Sequence, residues 1–192
     1  MGVFKAAAIQ MRSGESPERN AVDLERMVRD AAGQGATYIQ TPEMTGALIR
    51  DKDARAASFT SEDKDVVVAT AHKLASELGV FLHIGSTAIL RADGKLANRA
   101  LLFGPDGATL ATYDKIHMFD VDLDNGESWR ESAAYEPGTE AVVTEIDGAR
   151  LGFAVCYDLR FPQLFRAEAL AGADVLSVPA AFTRQTLSLI HI

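Results

Sequence analysis

Residues 151–165, LGFAVCYDLRFPQLF, decide how the rest of the chain is read. The run LGFAVC is apolar and has the length of a buried strand, and the polar residues Tyr157, Asp158 and Arg160 break it. Phe161-Pro162 then opens PQLFRAEALAGA, where Leu164, Phe165 and Leu170 form a helical pattern. A strand that passes through a tight turn into a helix is a unit of an α/β fold, and Cys156, the only cysteine, stands at that turn. A nucleophile elbow presents its side chain at a sheet edge in this way. Buried, inert filling is the competing reading, because free cysteine is among the most buried residue types. One cysteine excludes an internal disulfide and a thiolate zinc cluster.

Outward from this stretch, the same logic covers the chain. DVLSVPAAF (174–182) follows as a short buried strand, and AVVTEIDGARLGFAVCYD (141–158) reads as two strands around Asp147-Gly148. NRALLFGPDGATLATYDK (98–115) is a second hairpin around a Gly-Pro-Asp-Gly turn. Towards the N-terminus, VFKAAAIQM reads as a strand, and SPERNAVDLERMVRDAAGQG as a helix with Ala21, Leu24, Met27, Val28 and Ala31 on its apolar face. ATYIQTPE is a further short strand; SEDKDVVVATAHKLASELG is a helix capped by Ser61 and closed by Gly79; and VFLHIGSTAIL is a strand again. The sum is an α/β domain with a mixed sheet folded into two layers, without repeats, linkers or low-complexity tracts.

The 192 residues are 47% hydrophobic, enough for a sizeable core in one domain. Nineteen Lys and Arg against 27 Asp and Glu give a formal charge of −8, a poor match to nucleic acid or anionic lipid. No apolar run reaches the roughly 18 residues of a membrane span, and MGVFKAAAIQMRSGE lacks a signal-peptide layout; a cytoplasmic protein is expected. Ala6 stands where a myristoylation signal wants Ser or Thr.

Three residue types near strand ends can carry chemistry. Glu43 follows YIQTP, where an α/β sheet offers groups to a ligand, although a solvated loop glutamate fits too. Lys115, in TYDKIHMF, lies in a largely apolar run, and a lysine is rarely buried without a partner; an exposed strand face is the bland alternative. The thiol of Cys156, with a reference pKa of about 8.5, would want a cation beside it. DVDLDNGESWRE (120–131) places Asp120, Asp122, Asp124 and Glu131 at positions of a calcium loop. The match fails because Asn125 occupies the glycine position, Gly126 comes one residue late, and no amphipathic helices flank it. His72 and His83 lack ligand spacing and read as structural.

The order Glu43, Lys115, Cys156 resembles the Glu-Lys-Cys signature of the nitrilase superfamily, the carbon-nitrogen hydrolases. TPEMTG, YDKIHMFDVD and GFAVCYDLRFPQLF are similar to its three motif blocks, and KAAAIQM and GADVLSVPAAF extend the likeness over residues 4 to 185. KIHMFDVDL and CYDLRFP are most similar to the Nit branch, which hydrolyses ω-amides of keto acids or deaminated glutathione. The resemblance implies a four-layer α-β-β-α sandwich that dimerises through helices, including the one after Cys156, and an amidase working without metal or organic cofactor on a small amide. It implies Glu43 as general base, Cys156 as nucleophile, Lys115 as the cation facing the tetrahedral intermediate, the Tyr157 N–H as an oxyanion donor, and Glu131 as the carboxylate positioning Lys115 or the substrate amide. It also implies a domain over residues 1–186 forming the N-terminal part of the family domain, with Leu187 to Ile192 not native family sequence, because relatives continue with other residues where LSLIHI stands.

Two other readings predict different behaviour. A non-catalytic fragment would carry the motifs without a closed site. A Cys-His hydrolase would use His117 as the base and show a pH-rate limb tracking an imidazole. The substrate is not named by sequence; Arg160 or Arg184 are candidates for pairing with a substrate carboxylate, and acyl transfer would use the same thioester.

Overall fold

The computed structural model describes residues 4–49, 51–122, 126 and 128–182; Asp124, Asn125, Arg184 and Leu187 to Ile192 lie outside the described residues. The elements are β1 (Ala6–Ala8), α1 (Pro17–Gly33), β2 (Tyr38–Gln40), α2 (Lys52–Ser58), α3 (Val66–Leu78), β3 (Phe81–Leu90), β4 (Leu96–Phe103), β5 (Thr109–Asp114), β6 (Asp120–Asp122), β7 (Ser128–Arg130), β8 (Val143–Ile146), β9 (Ala149–Phe153), α4 (Pro162–Leu170) and β10 (Val175–Ser177).

α1 starts as its sequence predicts: the Ser16 hydroxyl accepts the Arg19 N–H, Pro17 opens the first turn, and Ala21, Leu24 and Val28 are buried. α3 does not start at Ser61. Glu62–Lys64 form only a 3-10 turn, and the cap is Asp65, whose carboxylate accepts the Val67 and Val68 N–H groups at 2.8 and 2.9 Å. The reason is that Glu62, Asp63 and Lys64 have no apolar side to bury, so the helix begins where the valines do. Gly79 ends it at φ 65 as a left-handed cap.

β1, β2 and β3 pair in parallel, and β4 and β5 add antiparallel, giving a five-stranded sheet; β10 parallel to β9 and β8 antiparallel to it make a second sheet of three. Strand alternation separates the two faces of the larger sheet. Ile39, Leu82, Ile84, Leu101 and Phe103 pack against α1 and α3, whereas Tyr38, Ala100, Leu102 and Tyr113 meet Ile146, Leu151 and Phe153 of the smaller sheet. β3 is therefore buried along nearly its whole length, covered on both sides. α4 lies on β9, contributing Leu164, and its Glu168 sits directly over Gly152. The layers run α, β, β, α. β6 and β7 form a separate two-stranded ribbon.

β10 departs from expectation. Among the described residues it pairs only with β9, and Val175 and Leu176 are exposed while Ser177 is buried. A further feature positions the site: β3 carries an irregularity between Ile84 and Thr87, and Gly85 lets the Thr41-Pro42 backbone cross it. A Cβ on Gly85 would lie 2.1 Å from the Thr41 carbonyl oxygen.

Candidate active site

Glu43 stands three residues past the C-terminal end of β2, Lys115 one residue past β5, Cys156 three residues past β9, and Glu131 one residue past β7. These four ends meet. The Lys115 ammonium, only 2% exposed, donates to Glu43 Oε1 at 3.2 Å and to Glu131 Oε2 at 2.8 Å. Burial alone would lower its pKa, but the two carboxylates, joined by the field of Cys156, outweigh that and hold it above the ordinary lysine range. The Glu43 Oε2 accepts the Ala181 N–H at 2.9 Å, and Glu131 Oε2 also accepts the Phe119 N–H at 2.7 Å.

Cys156 has φ 50, in the left-handed region that a side chain rarely occupies, and its N–H donates to the Pro179 carbonyl at 2.9 Å. The sharp turn that results is the elbow read from LGFAVCYDLRFP. Burial first, then the Glu43 carboxylate and its hydrogen bond to the thiol, push the Cys156 pKa well above the ordinary thiol value, with Lys115 opposing. The cluster that the sulfur joins already holds two carboxylates and one ammonium, with Glu43 and Lys115 nearest to it, so a resting thiolate would add a second net negative charge. A neutral thiol touching a carboxylate can pass its proton across as a bond forms, and a buried ammonium beside it can meet the negative charge that develops.

Sequence reading missed Asn98. On β4 it shares the inward face with Ala100 and Leu102, and its Nδ2 donates to Glu43 Oε1 at 3.0 Å and Glu131 Oε1 at 3.1 Å, bridging the two carboxylates. The available signal was one polar residue on an otherwise apolar strand face. Tyr157 follows Cys156 and sets its ring edge-on to Phe119 and Phe161. His117 does not share a strand face with Lys115, because β5 ends at Asp114; its Nδ1 lies 2.7 Å from Asp158 and its ring stacks on Phe161 at 3.6 Å. Asp120 and Asp122 bind Ser132 and Arg130, and among the described residues no group of three or more His, Cys, Asp or Glu could hold a metal ion. Nor is any described helix long and apolar enough to cross a membrane. His72 lies in α3 with its ring edge-on to Phe103, and His83 lies in β3 with its ring against Tyr38 and Phe153.

The family model for carbon-nitrogen hydrolases matches residues 5–189. The chain belongs to the carbon-nitrogen hydrolase family. Among curated proteins it is 36% identical over 184 residues to the deaminated glutathione amidase of Yersinia enterocolitica, covering 94% of this chain and 63% of that protein. It is 31% identical over 188 residues to the omega-amidase NIT2 of Danio rerio, covering 97% and 66%. The chain thus spans just under two thirds of the length of these relatives. Among solved structures, the NitFhit protein of C. elegans superposes with a TM-score of 0.84 at 28% identity, covering 98% of this chain and 46% of that one. An amidase from Nesterenkonia sp. AN1, solved with acrylamide added at its active-site cysteine, gives 0.83 at 26%, covering 99% and 72%. The fold is therefore the carbon-nitrogen hydrolase sandwich.

Proposed function

We propose that this carbon-nitrogen hydrolase chain is an amidase that cleaves the C–N bond of a small linear amide through a thioester on Cys156. The observation that carries the reading is Lys115 buried between Glu43 and Glu131, with the Cys156 thiol hydrogen-bonded to Glu43. Glu43 takes the thiol proton as sulfur attacks the carbonyl carbon. The Lys115 ammonium and the Tyr157 N–H receive the oxyanion, a contribution of about 10²–10³ in rate per donor. Collapse breaks the C–N bond, the proton on Glu43 leaves with the nitrogen as ammonia, and the acyl group stays on sulfur. Water, deprotonated by Glu43, then adds to the thioester, and the carboxylic acid departs as the thiol is restored. Glu131 and Asn98 hold Lys115 and Glu43 in register. The names of the relatives support an ω-amide or deaminated glutathione as substrate class. The mechanism requires no metal or organic cofactor.

A reduced thiol is needed for each turnover, which fits a cytoplasmic site. The exposed Leu170 of α4, at 79%, supports a homodimer through that helix; light scattering of the purified chain and of Leu170→Asp tests it, with a monomeric parent overturning it.

The test of activity is ammonia release from a panel of ω-amides including α-ketoglutaramate, with mass spectrometry of the acyl-enzyme. Release should disappear in Cys156→Ala, Lys115→Ala and Glu43→Gln, each still folded. Turnover by folded Lys115→Ala would refute the assignment. If His117 were the base, His117→Ala would abolish release and Glu43→Gln would not; the hydrogen bond between the Cys156 thiol and Glu43 favours Glu43.

A further inference from the structure

Asp158 is completely buried and accepts four hydrogen bonds, two on each oxygen. Oδ2 receives the Tyr113 hydroxyl at 2.7 Å and the Val155 N–H at 2.8 Å. Oδ1 receives the His117 N–H at 3.0 Å and the His117 ring Nδ1 at 2.7 Å, with the ring proton assigned to Nδ1 because a carboxylate faces it. Burial, with the adjoining Asp158 charge, pushes the Tyr113 pKa up, so this hydroxyl stays a donor.

The positions of these donors in the chain matter more than their number. Tyr113 and His117 stand two residues before and two after Lys115. Val155 and Asp158 stand one residue before and two after Cys156. One carboxylate therefore ties both sides of the lysine segment to both sides of the elbow, and Phe161, from the same turn as Cys156, stacks on the His117 ring at 3.6 Å. Neither segment has a regular ladder at this point: β5 has ended at Asp114 and β9 at Phe153. Lys115 is still fixed by its N–H to the Asn98 carbonyl at 2.9 Å, and Cys156 by its N–H to Pro179, but those bonds lead to different parts of the fold.

We propose that Asp158 is a positioning residue of the amide-cleaving site, a buried clamp that sets Lys115 in register with the Cys156 sulfur through Tyr113, His117 and Val155. It rests on the amidase reading for its turnover test and acts through other groups, without touching substrate. A displacement of about 1 Å between ammonium and sulfur is enough to cost on the order of 10² in rate.

The test uses Asp158→Asn and Tyr113→Phe in the purified chain, with the folded fraction set by circular dichroism. An amide at 158 keeps one acceptor oxygen against four donors, so two bonds are lost with little change of shape. Expected for Asp158→Asn is a kcat lower by on the order of 10², KM within about twofold, and slower alkylation of the Cys156 thiol by iodoacetamide. Tyr113→Phe alone should lower kcat several-fold, and adding it to Asp158→Asn should change little more, because both act through one clamp. A merely structural Asp158 would lower the melting temperature while kcat per folded molecule and alkylation rate stayed at the parent values; that result overturns the clamp. If Asp158→Asn does not fold, Tyr113→Phe decides, and parent-like kcat and alkylation rate in that variant refute the proposal. Should the parent release ammonia from no amide, the amidase reading fails by itself, and the alkylation rates still judge the clamp.

Discussion

Asn98 shows what a single residue contributes when two like charges must stay close. Its one amide nitrogen serves both Glu43 and Glu131, so each carboxylate is anchored independently of the lysine they share. A hydrogen bond to a charged group is worth about 1.5–3 kcal/mol, so Asn98→Ala should reduce turnover by roughly 10- to 100-fold while the circular dichroism spectrum stays unchanged. Parent-level ammonia release from Asn98→Ala would show that Lys115 alone orients the pair. Asn98→Asp should be worse, since it puts a third carboxylate against the other two. Glu43, Lys115 and Cys156 were legible because each is a reactive residue type at the end of an apolar run. Asn98 was not, because its importance depends on sheet register, which a single sequence does not display. Glu131 was open to two meanings, as a calcium-loop ligand or as a lysine partner, and only the folded position beside Lys115 separates them.

At the scale of elements, the two ends of α3 illustrate what sequence can and cannot specify. Gly79 was readable because a left-handed cap demands glycine, whereas Ser61 and Asp65 are both good capping types four residues apart. The apolar face chooses between them. Asp65→Ala should destabilise the protein by roughly 0.5–2 kcal/mol, and Ser61→Ala by less than about 0.5, in chemical denaturation; the reverse ranking would mean that the helix begins earlier than described. Gly85 makes a stronger claim. Even alanine there would drive a methyl into the Thr41 and Pro42 carbonyl oxygens, so Gly85→Ala should displace the segment that carries Glu43 and lose activity before it loses the fold. Full activity in that variant would show that the crossing relaxes freely. β10 reads as buried in the sequence because an edge strand and a central one share the same apolar composition, and only the neighbours, here β9 alone among the described residues, distinguish them.

For the whole molecule, two buried groups outside the candidate active site set opposing pH limits. His83 is enclosed between the sheets, with Nδ1 2.7 Å from the Tyr38 hydroxyl, and burial lowers its pKa from 6.5 to about 3. The unfolded chain takes up that proton and the native one does not, so stability is lost as pH falls from about 6.5 towards 3. Glu168, on the inner face of α4, is buried over Gly152 of β9, and burial raises its pKa from 4.5 to about 7 against the opposing pull of the Phe153 backbone. Here the native state keeps a proton that the unfolded state releases, so stability falls as pH rises from about 4.5 to 7. Between about pH 5 and 6.5 the two contributions oppose each other, so the melting temperature of Glu168→Gln should rise more steeply with pH than that of the parent; identical slopes would exclude Glu168 as a contributor. The layered architecture was legible from the alternation of strands and helices, but neither of these groups was, since burial is a property of the assembled layers. That assembly also has a timetable. The Glu43 Oε2 receives its donor from Ala181, 138 residues later, and Gln40 Oε1 accepts from Ser177, 137 residues later. At about 5–20 residues per second of synthesis, the first half of the site waits roughly 7 to 28 seconds for the second. During that interval the ribosome carries a sheet with one apolar face bare, a surface of the kind that chaperones cover, well before the candidate site is assembled.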